Sequence, residues 1–218
     1  SDRIGRSMKS RFCFNLLCLW SGSSVGGFCL GIIGCALRGL PRCGRRLLRL
    51  LGNLPNERQP SQKTFETRLH TALSSLDPTQ TIYVEAESRR IGALQVPDSL
   101  IAAIRAAPCI RIDATAHARV EFLLRDYAYF LEDPRWLSEK LGHLRGLQSN
   151  ETLARWLRLV ETSQFRALVG ELLERHYDPL YQRSQTRNYR DYGDAPAFAT
   201  DDLSPDGISR LAKSILAA

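Results

Sequence analysis

The 218 residues, 44% of them hydrophobic, suffice for one domain with a real core plus an appendage, and they exclude a chain disordered throughout. The formal charge of +7 suggests a nucleic-acid footprint until it is mapped: residues 1–50 hold nine Lys or Arg against the single acid Asp2, whereas the remainder holds 21 basic and 22 acidic residues. A globally positive body is therefore excluded, and any polyanion must be met by local patches.

Cysteine divides the chain at the same place, with Cys13, Cys18, Cys29, Cys35 and Cys43 in the first fifty residues and Cys109 alone beyond them. That distribution fits neither a disulfide framework nor a zinc site, which needs CxxC or Cys/His pairs. The simpler reading is a reduced, cytoplasmic body with Cys109 as a buried small hydrophobe.

Residues 12–37 carry no charge and are flanked by Arg11 and Arg38, a length that would span a bilayer. Against a membrane segment stand the breaks at Ser21-Gly22-Ser23-Ser24 and Gly26-Gly27 and the lack of a settled period. No lysine follows these glycines as a phosphate-binding GxxxxGK[ST] loop requires.

After the turn-rich Leu51–Pro55, Ser61 reads as the cap of an amphipathic helix bearing Phe65, Leu69, Leu73 and Leu76, which ends before Pro78. Ile82 to Ala86 reads as a short buried strand. It runs into Glu85, Glu87, Ser88, Arg89 and Arg90, at the strand end where ligands bind in open α/β sheets. Asp98 or Ser99 caps a second helix that Pro108 stops, and Cys109 to Ile112 reads as a second strand. Helix, strand, helix, strand is the cadence of an α/β unit.

From Thr115 onward the pattern is helical. A stripe of Val120, Leu123, Leu124, Tyr127 and Leu131 is interrupted at Pro134, and a segment from Trp136 to Leu147 follows. A helix from Asn150 turns Leu153, Trp156, Leu157 and Val160 inward, and a last one from Phe165 to Tyr177 buries Leu168, Leu172 and Leu173 and closes at Asp178-Pro179. Beyond it, Arg183, Arg187 and Arg190 interleave with Tyr181, Tyr189 and Tyr192, a mixture suited to stacking and pairing with RNA or to a solvated tail. Ser204 to Ala218 reads as a short capped helix.

Three of these stretches, LLGNLPNERQPSQKTFE, VEAESRRIG and LLERHYDPLY, together resemble the tRNA 2-selenouridine synthases in their carboxyl-terminal P-loop-type domain, over roughly Leu50 to Arg190. The resemblance implies an α/β fold, here a partial P-loop-type parallel sheet with a C-terminal helical subdomain. It also implies replacement of sulfur by selenium in wobble 2-thiouridine of tRNA, through an S-geranylated intermediate, with selenophosphate and geranyl diphosphate as substrates. The family's rhodanese domain with its cysteine, and its P-loop lysine, have no counterpart in residues 1–50.

The expected organisation is therefore a non-homologous or frameshifted lead-in, disordered or membrane-like, over 1–50; an α/β remnant over 51–114; a helical subdomain over 115–182; and a polar tail with a short terminal helix over 183–218. Without the lysine, weak or absent geranylation is expected, and the chain reads as a fragment.

Carried onto this sequence, Glu85 and Glu87 are the expected catalytic carboxylates, at a position that suits Mg²⁺ or a water. Ser88, Arg89 and Arg90 face a diphosphate or tRNA phosphate, and Gln59, Ser61, Gln62 and Lys63 form a phosphate site at a helix start. Arg183, Arg187 and Arg190 contact tRNA. No residues are assigned as ligands of a resident metal. The competing readings are a structural cluster in which Glu87 pairs with Arg90, and a cap at Ser61 with no ligand. For the whole chain they are a non-catalytic tRNA-binding module, or a protein tethered to a membrane by residues 12–37, the lesser alternative.

Overall fold

The computed structural model describes residues 60–75, 83, 89–91 and 93–218. The lead-in over 1–50, its charge-free stretch 12–37 and the strand expected over Ile82 to Ala86 lie outside these, apart from Tyr83. Among the described residues no helix is long and apolar enough to cross a membrane. In chain order the elements are α1 (Gln62–Ser74), β1 (Arg90–Ile91), β2 (Leu94–Gln95), α2 (Asp98–Ala106), β3 (Arg111–Ala114), α3 (Ala116–Asp126), α4 (Ala128–Leu131) and α5 (Pro134–Gly142). They continue with α6 (Asn150–Glu161), α7 (Phe165–Leu172), a π turn (Leu173–Tyr177), α8 (Asp178–Asn188), β4 (Ala197–Thr200) and α9 (Pro205–Leu216). The described chain is mostly helical with little sheet, consistent with an α/β class.

Two compact units result. The first gathers the described residues up to Asp113 together with 185–200 and 205–218. Ser61 starts α1, its hydroxyl accepting from the Thr64 N–H at 3.2 Å, which satisfies one of the free donors at a helix start. α1 buries Phe65 completely, against Leu94, Val96 and Ile101. β1 and β2 form an antiparallel hairpin in which Arg90 faces Gln95 and Ile91 faces Leu94.

A second apolar group joins Ile104, Cys109, Tyr189 and Ala195, with Leu100 and Tyr192 against it. β3 begins two residues later than the strand expected from Cys109, and it pairs with β4. α9 buries Gly207, Ile208, Leu211, Ala212 and Ile215, a three-and-four spacing that keeps one face on the core.

The second unit holds 114–184 and 201–204. Three of its helices start on side-chain caps: Thr115 to Ala118, Asp133 to Arg135 and Trp136 with Pro134 inside the first turn, and Ser149 to Thr152. Its core packs Leu137, Leu141, Leu144, Leu153, Trp156, Leu159, Val160 and Leu168. Trp156 has no exposed surface, and its indole N–H donates to Glu171 at 3.1 Å, so the one polar atom of the largest core side chain is satisfied. α6 ends with Ser163 at φ 55°. The Gln164 N–H reaches back to the Leu159 carbonyl (2.8 Å) and the Ser163 N–H to Val160 (3.0 Å), the six-to-one and five-to-two bonds of a Schellman stop.

One expectation is corrected here: the helix from Phe165 does not close at Asp178-Pro179. It runs on to Asn188 through the π turn, in which the Asp178 N–H bonds the Leu173 carbonyl five residues back. Proline within a helix both lacks a donor and crowds the carbonyl four residues earlier. The wider turn relieves that crowding. The carbonyl left without its usual partner is that of Arg175, and the Gln148 side-chain amide lies 3.4 Å from it as a substitute donor.

Candidate functional site

Of the residues expected to bind phosphate, two separate stretches meet in the first unit. The Gln62 side chain is the joint: its Nε2 donates to the Gln95 carbonyl at 2.8 Å and its Oε1 accepts from the Gln95 N–H at 2.9 Å. A primary amide offers one donor face and one acceptor face, so it can close both backbone groups of a strand residue at once. Because Gln95 is the residue opposite Arg90 in the hairpin, the head of α1 is held against the strand pair that carries Arg90.

Lys63, next to Gln62, is exposed and has no ion-pair partner among the described residues. The backbone N–H groups of a first helical turn have no intrahelical acceptors and carry partial positive charge. Arg89 lies at the entrance to the hairpin, where its guanidinium bonds the Asp98 carboxylate at 2.5 Å and its carbonyl accepts from the Val96 N–H at 2.9 Å. The Arg89 and Asp98 side chains are 56% and 77% exposed, so the pair contributes at most about 1 kcal/mol and an anion can compete for the guanidinium.

Ser61 and Gln62 are fully engaged within the protein, Ser61 as the cap and Gln62 in the clamp and to Glu66 at 2.6 Å. Lys63, Arg89 and Arg90 are exposed, with Arg89 paired to Asp98. Glu85, Glu87, Ser88 and Gln59 lie outside the described residues. Among the described residues no group of three His, Cys, Asp or Glu side chains comes together as a metal site.

Arg183 and Arg187 lie four residues apart on α8 and Arg190 just beyond it, all three exposed. The tyrosines between them are used otherwise. Tyr189 is buried (4% exposed) with Ile104 and Cys109, Tyr192 packs on the same group, and Tyr181 stacks on Tyr177 with centroids 5.4 Å apart. Stacking of bases on Tyr189 is therefore overturned, because its ring already belongs to the core.

Sequence reasoning gave Asp178 a structural role at the end of the last helix but passed over Arg119, Gln148 and His176 in the second unit. Arg119 of α3 holds Asp178 through two bonds of 3.0 and 2.5 Å, and the Gln148 amide lies 3.2 Å from His176 Nδ1. Burial holds the His176 imidazole below the ordinary histidine range. Nearby, the Arg155 hydrogen bond holds the Glu171 carboxyl low, helped by the Trp156 N–H and opposed by burial. The only prior signal was the proline in LLERHYDPLY, which marks a place where a helix must be repaired if it continues.

A family model described as tRNA 2-selenouridine synthase AAA domain matches residues 50–152. Through that segment the chain is similar to the tRNA 2-selenouridine synthases. Curated relatives bearing that family name agree. The one from Cupriavidus pinatubonensis is 30% identical over 154 residues, covering 56% of this chain and 41% of the relative. That from Alcanivorax borkumensis is 30% identical over 157 residues, 59% and 43% of the two chains. That from Shewanella oneidensis is 25% identical over 185 residues, 70% and 49%. The chain thus spans less than half the length of these tRNA 2-selenouridine synthases. No solved structure matches it. The clamp between Gln62 and Gln95 lies wholly inside the matched segment, whereas the π turn lies beyond it.

Proposed function

We propose that this chain carries the phosphate-holding part of a tRNA 2-selenouridine synthase, with a P-loop-type sheet as its ancestry and a cytoplasmic tRNA as its partner. The observation that supports it is the Gln62 clamp, which fixes the head of α1 and the Arg89–Arg90 hairpin against each other. On this reading Lys63 at the head of α1 and Arg89 and Arg90 of the hairpin act together on a multiply charged oxyanion.

In the family reaction the sulfur of 2-thiouridine displaces diphosphate from geranyl diphosphate: an S–C bond forms, the C–O bond breaks, and the leaving diphosphate gains negative charge. Lys63, Arg89 and Arg90 hold that charge as it develops, and positioned cations lower the barrier most where charge grows. Selenium of selenophosphate then bonds C2 of the base as the C–S bond breaks and geranylthiol leaves, and water cleaves the Se–P bond to release phosphate. Glu85 and Glu87 are the hard oxygen donors for a Mg²⁺ or a water, and Mg²⁺ would supply charge neutralisation on the phosphate oxygens. Arg183, Arg187 and Arg190 take up tRNA phosphates, and Ser88 bonds the same anion as the arginines.

The test is incubation of the chain with 2-thiouridine-containing tRNA and geranyl diphosphate, with the S-geranyl nucleoside read by mass spectrometry. The reading expects weak turnover, as the missing phosphate-loop lysine implies, and expects Arg89→Ala with Arg90→Ala to raise KM for geranyl diphosphate by roughly tenfold or more, the cost of losing charge-assisted phosphate bonds. Product formed with an unaltered KM would overturn it.

A further inference from the structure

We propose that the joint between residues 143–149 and the π turn is a latch that opens when His176 takes up a proton. The joint rests on one side chain. Gln148 Nε2 lies 3.4 Å from the Arg175 carbonyl and 3.2 Å from His176 Nδ1. The carbonyl can only accept, so it fixes the nitrogen end of the amide toward the turn. Nδ1 must then be the unprotonated, accepting nitrogen of a neutral imidazole, with its hydrogen on Nε2.

Protonation makes both ring nitrogens donors. Nδ1–H would then face the N–H of Gln148, two donors opposed with no acceptor between them. Rotating the amide does not rescue the joint, because Oε1 would meet Nδ1–H but also the Arg175 carbonyl, acceptor against acceptor. Arg175 is where the missing Pro179 N–H leaves a carbonyl in need of a donor, so the same event strips the turn of its substitute. The segment that would move is short and built on turns, with Gly146 at φ 83° just before Leu147 and Gln148.

The ionisable groups on the segments that bear the joint are His143 and Arg145 on the loop, Glu174, Arg175 and Tyr177 on the turn, and Asp178 at the head of α8, held by Arg119 of α3. Burial lowers the pKa of His176, so the ring is neutral at neutral pH. The joint is therefore closed at neutral pH and opens on acidification.

Hydrogen exchange of the full chain at pH 7.5 and pH 5.0, corrected for intrinsic rates, tests the latch. Backbone amides of 143–149 and 173–181 are expected to lose roughly five- to tenfold protection at the lower pH, the scale of losing one such joint. His176→Gln, which keeps an acceptor and cannot titrate, should retain protection at both values. Gln148→Ala should be poorly protected at both and should raise the His176 titration midpoint followed by NMR. Equal protection of the wild type at the two pH values, the same drop in His176→Gln, or an unmoved midpoint in Gln148→Ala would overturn the proposal.

Discussion

Replacing Gln62 by Ala removes both hydrogen bonds of the clamp, along with the exposed one to Glu66, while leaving the helix cap at Ser61 in place. Each such bond has a net worth of about 0.5–1.5 kcal/mol. Gln95 is exposed, so water replaces the lost partners and the low end applies: about 1–2 kcal/mol for the pair. The loss should be local, because Phe65 and Leu94 still pack. Hydrogen exchange at the Gln95 amide reads it directly, with protection expected to fall by roughly five- to thirtyfold. Gln62→Glu is the sharper variant, since one carboxylate oxygen still accepts from the Gln95 N–H while the other is pressed against the Gln95 carbonyl. If Gln62→Glu protects Gln95 as well as the wild type does, the amide is not acting as a two-sided clamp.

Truncating Trp156 to Ala should cost about 3–5 kcal/mol in denaturant unfolding of the second unit, and a loss below about 1 kcal/mol would mean that its burial is not decisive. Because the folded Glu171 carboxyl is held low, chiefly by Arg155, its contribution is present above the unfolded carboxylate pKa of about 4.3 and is lost as pH falls through the folded value. Glu171→Gln should flatten that part of the stability profile, and an unchanged slope between pH 5 and 3 would contradict it. Ser163 sits in a left-handed conformation that costs a side chain about 1–2 kcal/mol. Ser163→Gly should therefore raise the melting temperature by roughly 1–4 °C, and a fall would show the strain to be absent. Alanine at Arg183, Arg187 and Arg190 should reduce the salt dependence of tRNA binding by up to about one log unit per arginine, whereas an unchanged slope would remove them from the interface.

Much of the helical layout was legible because it rests on local chemistry. Ser61 reads as a cap from its place before an apolar-periodic run, Pro134 as a break, and Trp156 as core from its spacing with Leu153 and Val160. What escaped depends on partners distant in the chain. Gln62 and Gln95 are 33 residues apart, and no period of three or four connects them. The sequence offers Asp98 or Ser99 as a local cap, whereas the Asp98 carboxylate pairs with Arg89 and Pro97 occupies the cap position. Tyr189 lies in a polar, arginine-rich stretch, and its burial follows only from β4 returning to pair with β3. Pro179 reads as a stop by the usual rule for proline. The rule failed because a π turn and one glutamine amide from another segment together met the need that the proline creates.

Calorimetric titration of geranyl diphosphate into the full chain, beside Lys63→Ala and Arg89→Ala, reaches the central claim most directly. Saturable binding that weakens roughly tenfold with each lost cation is the predicted result. Binding that is absent from the wild type, or equally tight in all three proteins, would contradict it.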